Sequence, residues 1–249
     1  MALVDLRPRR RSAPPLDQAL DNPFWWALRG PVAPQAQRHG PAVRFRPDVN
    51  VFAALPDRPT ARAWSALAAL AADGAPVLLA RARLEVPAGW RVEHRRPSVQ
   101  LVAPPTAGRA WSSSRWSLRP LGPADADAML GLAAAAQPGP FRAATVTQGG
   151  FLGVEVDGRL VAMAGTRCRW PGAVEISSVC TRPGYRGQGL AGGLVEEIVR
   201  RTHSSGAVAF LHTAASNVGA IALYERLGFT LRSRPDFVTL RPPPLLGGR

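Results

Sequence analysis

The sequence predicts a mixed α/β fold: a mostly antiparallel sheet flanked by helices, preceded by a small α/β unit. Three observations carry this prediction. Apolar residues recur at helical spacing in some segments and in short runs in others. In the middle of the chain, strand signals follow one another through tight turns, above all Asp157-Gly158, and such turns join antiparallel neighbours. Later, strand and helix alternate, but without the sustained run of βαβ units that a doubly wound parallel sheet needs.

Residues 1–16, rich in Arg and Pro, read as a disordered basic arm. Leu16–Arg29 then places Leu16, Leu20, Phe24 and Leu28 on one helical face. Ala42–Arg46 reads as a short strand, and Thr60–Ala72 as a helix closed by Asp73-Gly74. Pro76–Ala80, Trp90–His94 and Ser98–Ala103 read as strands, with Arg95–Pro97 turning between the last two. Residues 17–103 thus form an N-terminal α/β unit, and residues 104–115, with their Pro, Ser and Gly, form a linker. A second unit spans residues 116–241. Trp116–Pro120 is its first strand, and Ala124–Gln137 a helix that starts after Pro123 and stops before Pro138-Gly139. Gly153–Val156 and Arg159–Thr166 form the Asp157-Gly158 hairpin, and Ala173–Thr181 is apolar enough to be buried on both faces. Gly189–Arg201 is a helix, Ala207–Thr213 a strand, and Ser216–Leu227 a helix capped by Ser216 and stopped by Gly228. Thr230–Leu240 is a last strand bent near Pro235, and residues 242–249 form a flexible tail.

Composition narrows the function. The formal charge is +14, yet all 31 basic residues are Arg and they are scattered, with the only run at Arg7–Arg11. A nucleic-acid reader clusters its basic residues on one face, so no specific nucleic-acid partner is expected; a positive field still favours small anions. No stretch of about 20 uncharged apolar residues exists, so no membrane span is expected, and no apolar run follows the basic start as a secretory signal requires. Two cysteines, Cys168 and Cys180, form neither a disulfide framework nor a metal cluster, so the expectation is a reducing, cytoplasmic setting and no metal.

The most informative stretch is Val179–Val195, VCTRPGYRGQGLAGGLV. A buried strand ends, Pro183-Gly184 turns the chain, and Arg186-Gly187-Gln188-Gly189-Leu190-Ala191 leads into a helix. Glycines let backbone approach a phosphate, the first N–H groups of a helix point outward at its positive end, and Arg186 adds a fixed charge. Gly187, Gly189 and Gly192 also match a dinucleotide fingerprint. That reading fails because the turn is too long, the motif does not open a domain, and His212 stands where a ribose-binding acid belongs.

This stretch resembles the acetyl-CoA site of the GNAT superfamily of N-acetyltransferases, whose signature Gln/Arg-x-x-Gly-x-Gly/Ala is filled by Arg186, Gly189 and Ala191. A second resemblance follows about 30 residues on, where Asn217, Tyr224 and Leu227-Gly228-Phe229 match the family's helix motif. The resemblance covers about residues 115–241 and implies a sheet whose central strands splay apart. It implies that the backbone of Val179, Cys180 and Thr181 pairs with the pantetheine arm, that the N–H groups of Arg186, Gly187, Gln188, Gly189, Leu190 and Ala191 hold the pyrophosphate, and that Asn217 orders the coenzyme arm. Acetyl-CoA is then the co-substrate and an amine the acceptor, on a small molecule or a protein, by direct attack in a ternary complex. A non-catalytic acyl-CoA sensor is the alternative. The resemblance makes the Val179 N–H the oxyanion donor and Tyr224 the general acid. Glu175, eleven residues before Arg186 on an apolar strand, is the expected base, with a pKa raised by burial, or else a structural residue paired with an arginine on a neighbouring strand; His212 on the next strand is its rival as base. Cys180 has no readable His partner and is expected to be inert. The aromatic cluster Asn22–Trp26 reads as core packing, with a wall of the amine pocket or a dimer contact as its functional reading; a homodimer stays open. Helix, hairpin and strand signals in both halves raise the hypothesis that residues 17–103 are a degenerate second copy of the same unit.

Overall fold

The computed structural model describes residues 15–244, so residues 1–14 of the expected basic arm and 245–249 of the expected flexible tail lie outside the described residues. Helices α1 (Leu16–Asp21) and α2 (Pro23–Arg29) replace the single helix expected there. Pro23 has no N–H to continue α1 and serves instead as the first residue of α2. Strands β1 (Ala36–His39), β2 (Ala42–Phe45) and β3 (Ala53–Ala54) form a small antiparallel sheet. Helix α3 (Ala61–Leu70), capped by the Thr60 hydroxyl, packs Ala63, Trp64 and Leu67 against it.

The remaining strands are β4 (Val77–Arg81), β5 (Arg91–Val102), β6 (Leu118–Leu121), β7 (Phe151–Val156), β8 (Arg159–Trp170), β9 (Ala173–Thr181), β10 (Val208–Ala214), β11 (Thr230–Ser233) and β12 (Asp236–Arg241). Helices α4 (Ala126–Ala136), α5 (Leu190–Ser204) and α6 (Val218–Arg226) lie between them in the chain. The nine strands form one sheet in the order β4-β12-β5-β10-β9-β8-β7-β6, with β11 also on β5. Every pairing in it is antiparallel except β9 with β10, which is the mostly antiparallel α/β sheet that the sequence predicts.

Residues 104–115 are loop, but the chain on both sides of them enters this one sheet. Strand β5 is its junction, pairing with β12 over Arg91–Pro97 and with β10 and β11 over Ser98–Val102. The expected turn at Arg95–Pro97 is therefore a change of partner within one continuous strand. Pro97 cannot donate to a ladder, and it sits where the ladder switches; its carbonyl accepts from Ala215 N–H, and the Ser98 N–H passes to Pro235 O at 3.0 Å.

The Asp157-Gly158 hairpin has the positive φ values, +50° and +71°, that a tight two-residue turn needs. Helix α5 lays Leu194, Val195 and Ile198 on Val154, Val161, Ile176 and Leu211, and each such burial is worth about 2 kcal/mol. Helix α4 packs Met129 and Leu132 on Phe151, Met163 and Cys180. Helix α2 packs Phe24 and Leu28 into a third cluster with Phe52, Trp170 and Phe210, which ties the N-terminal half to β8 and β10. No helix among the described residues is long and apolar enough to cross a membrane.

Candidate active site at a fork in the sheet

Strands β9 and β10 pair from Ala173↔Val208 to Ile176↔Leu211 and then part. Beyond the fork β10 stays with β5, and β9 stays with β8. A bulge lies at the parting: Ser178 and Val179 together face Ala164, and Ser178 takes the left-handed φ of +55°. The edge of β9 that faces β10 is thus left without a strand partner over Ser177–Thr181, as the resemblance implied.

At the open end of the fork the chain makes a turn at Pro183–Tyr185 and reaches α5 through Gly187 and Gly189, at φ +75° and +79°. Both need glycine for that backbone, and a Cβ added at either would meet nothing within 4 Å. Gly189 caps α5 without any side-chain hydrogen bond, and the first helical bond closed behind it is Gly193 N–H to Gly189 O. The amides of Leu190, Ala191 and Gly192 therefore face out of the helix start. Gly192 is different, since its position packs against Leu223 of α6 and Leu227 just after it. Arg186 is exposed beside the loop, its Nε 3.4 Å from Thr181 O. Outward amides, open space and a guanidinium fit a coenzyme diphosphate, with the bare edge of β9 fitting an extended arm.

The other side of the fork is a cleft of about 650 Å³, bordered by Val179, His212, Asn217 and Tyr224, and by residues of the N-terminal half. Asn217, not the expected Ser216, caps α6, its Oδ1 accepting from Ala220 N–H at 3.2 Å. Tyr224 is 6% exposed, and its hydroxyl has no hydrogen-bond partner among the described residues. Burial pushes its pKa up to about 12, so the phenol keeps its proton over the whole neutral range. Cys180 is 6% exposed with its thiol pushed by burial to about 12, and Cys168 is raised for the same reason.

Glu175 overturns one expectation. Burial alone would raise its pKa, but the neighbouring Arg167 charge, that residue's two hydrogen bonds and one from His212 more than offset this and hold the carboxyl at about 2. Arg167 on β8 grips both oxygens, Nε to Oε2 at 3.0 Å and Nη2 to Oε1 at 2.5 Å, and His212 Nδ1 lies 2.7 Å from Oε1. The carboxylate is fully buried. The arginine on the neighbouring strand, one of the two expectations for Glu175, is Arg167, and its charge removes the raised pKa that burial alone suggested.

His212 is engaged at its other end too. Gln100 Nε2 lies 3.0 Å from His212 Nε2 and donates to Leu20 O at 2.8 Å. Gln100 Oε1 accepts from Arg232 at 2.9 Å, so its amide nitrogen must face the histidine. A donor at Nε2 leaves the imidazole neutral with its proton on Nδ1, directed at Glu175. The relay Arg232–Gln100–His212–Glu175–Arg167 is boxed by aromatic rings. Phe24 stacks on Phe52 at 4.1 Å, Arg167 lies 4.3 Å from the Phe52 centroid, and Phe237 and Phe210 flank His212 at 5.6 and 5.8 Å. Phe24 follows the core-packing reading of the Asn22–Trp26 cluster: it is 1% exposed, does not itself border the cleft, and lies beneath Arg167. Arg167, Gln100, Phe52 and Phe237 were not singled out from the sequence. Only Arg167 left a signal, as an arginine in an apolar strand close across the Trp170-Pro171-Gly172 turn from Glu175.

Comparison with known proteins agrees with this geometry. The acetyltransferase (GNAT) family model matches residues 119–229. A solved GNAT-family protein from Novosphingobium aromaticivorans is 36% identical, with a TM-score of 0.80 over 90% of this chain and 98% of its own. A GCN5-related N-acetyltransferase from Kribbella flavida shares the fold at 20% identity, with a TM-score of 0.60 over 93% of this chain and 96% of its own. No curated protein sequence matches the chain. With a fork, a glycine-rich cradle and a relative that matches along nearly its whole length, this chain belongs to the GNAT family of acetyltransferases and is an acyltransferase.

Proposed function

We propose that the protein transfers an acetyl group from acetyl-CoA, the family's co-substrate, to an amine by direct attack with both substrates bound. The observation that supports this reading is the fork itself. It opens from the cradle at Gly187–Ala191, passes the bulge at Val179 and ends in the cleft beside Tyr224. When bound, acetyl-CoA supplies an activated acetyl thioester. The amides of Gly189–Ala191 and the Arg186 guanidinium hold its diphosphate, and the bare edge of Val179–Thr181 aligns its arm. The Val179 N–H donates to the carbonyl oxygen as charge develops there. Tyr224 holds a proton for the departing sulfur, and its high pKa keeps that proton in place until thiolate forms.

In this reading Glu175 and His212 position the cleft wall rather than act as the base. An ionised carboxylate in a fork-to-fork pair is a weak proton acceptor, and the His212 lone pair is engaged by Gln100. The amine reacts as its neutral fraction, which neighbouring guanidiniums enlarge by disfavouring the ammonium form. The amine nitrogen gains the acetyl carbon, the carbon–sulfur bond breaks, the nitrogen proton leaves to solvent, and Tyr224 delivers the proton that sulfur takes. The N-terminal half supplies the outer wall of the acceptor cleft.

The test is initial-rate kinetics with acetyl-CoA and amine both varied. Intersecting double-reciprocal lines are expected. Parallel lines would mean an acetylated enzyme and overturn direct attack.

A further inference from the structure

The cleft is lined by four arginines and two histidines and by no Asp or Glu among the described residues. Two of the arginines are satisfied within the protein: Arg167 by Glu175, and Arg44 by Gln37 at 2.7 Å and Asp73 at 3.4 Å. The other two, Arg96 and Arg142, have no side-chain hydrogen bond or ion pair among the described residues, and both are exposed. They border the cleft from different elements. Arg96 lies on β5 opposite Phe237, on the face that carries His94, Ser98 and Gln100, and that face looks into the cleft through His94, Ser98 and Phe237. Arg142 lies on the loop between α4 and β7. The adjacent Arg95, on the opposite face of the same strand, is paired with Asp236 at 2.7 Å. Of the two adjacent arginines of β5, the unpaired one, Arg96, is thus on the side of the strand that faces the cleft.

From this we infer that the acceptor carries an anionic group as well as its amine: a carboxylate or phosphate held by Arg96 and Arg142. A planar guanidinium meets either group through paired N–H donors, and two of them without a protein partner are free to do so. Polyamines, aminoglycosides and lysine-rich peptides are poor candidates, because each extra ammonium would enter a cationic cleft with no carboxylate to receive it. Two features of the coenzyme side make the charge unnecessary there: the diphosphate has its own cradle at Gly187–Ala191, and its guanidinium is Arg186. The inference rests on the reading that acyl transfer takes place in this cleft, and it names the substrate class of that same site.

The experiment uses the purified 249-residue chain and separates the two readings. Calorimetry first establishes acetyl-CoA binding. Thiol release is then followed with matched acceptors: phenylalanine against phenylalaninamide, glycine against glycinamide, phosphoethanolamine against ethanolamine, and spermidine. At least one anionic member is expected to exceed its neutral counterpart about tenfold or more in kcat/KM, and the carboxylate and phosphate arms identify the anion. In R96Q/R142Q that preference should largely vanish, with the acetyl-CoA dissociation constant unchanged. The inference is overturned if amides or spermidine react as well as the anionic acceptors, if acetyl-CoA binds but no anionic amine is acetylated, or if the double variant keeps the preference. A protein that does not bind acetyl-CoA at all rejects the coenzyme site and this inference with it.

Discussion

The two sides of the β9/β10 fork are built from different materials. The side proposed for the coenzyme is backbone: Gly187 and Gly189 at positive φ, the amides that open α5, and the unpaired edge of β9 beyond the Ser178 bulge. The side proposed for the acceptor is side chain: Arg167, Glu175, His212 and Gln100 in a buried relay, walled by Phe24, Phe52 and Phe237, with Arg96 and Arg142 among the residues that border the cleft. A site made of backbone is local, and about a dozen consecutive residues suffice for it. A site made of side chains draws on β5, β8, β9, β10, β12, α2 and two loops, so it forms only when the whole sheet has formed. The first kind serves a ligand common to a family, and the second can be changed one side chain at a time.

The sharpest way to break this contrast is to open the relay. Removing one partner of a buried pair leaves the other charge stranded, so Arg167→Ala or Glu175→Gln should lose about 3–5 kcal/mol in urea unfolding, while R167M/E175L should recover most of it. Equal losses in the single and double variants would show that the pair adds stability of its own. The same pair predicts an acid limb. The carboxyl sits at about 2 in the folded chain against an ordinary 4.5, so its contribution is complete above about pH 4.5 and is lost as pH falls towards 2. Next in size is Tyr224→Phe, which should lower kcat about a hundredfold while acetyl-CoA affinity stays the same; a robust, unchanged rate removes the acid role. In the wild type kcat/KM should rise with pH along the titration of the acceptor amine, with no inflection from Glu175. The smallest effect is expected at the α6 cap: Asn217→Ala should cost about 1 kcal/mol of stability, and any larger loss in coenzyme affinity measures its second role on the arm.

The same contrast explains what was legible in the sequence. Through Arg226, each long element of the second unit is found near its expected place, because its hydrophobic period and its Gly or Pro stops are local signals; the single last strand expected over Thr230–Leu240 is instead two, β11 and β12, parted at Pro235. Strand β9 has the expected bounds, and Asp157-Gly158 is the turn that its composition requires. Errors came where distant partners decide. Pro97 reads as a break, yet β5 runs through it because Pro235 and Ala215 take up the ladder on either side. The split of the first helix at Pro23 was readable and was missed. The linker at 104–115 is a loop, but the register of β5 on β10 and β12 carries the N-terminal half into the sheet, and no local pattern encodes that pairing. Glu175 is legible as a residue, but the raised pKa expected for it is not found, since its pKa depends on an arginine brought beside it by the turn at Pro171-Gly172.

The most direct test of the central claim, that the amides opening α5 hold the coenzyme diphosphate at the fork, is calorimetric titration of acetyl-CoA and coenzyme A into the wild type and Gly189→Val. The variant places a branched side chain at φ +79°, over space that is open in the wild type. The account predicts one saturable site per wild-type chain for both compounds, weakened about tenfold or more in a variant that still folds. A folded wild type that gives no heat, or a variant that binds as tightly, contradicts it.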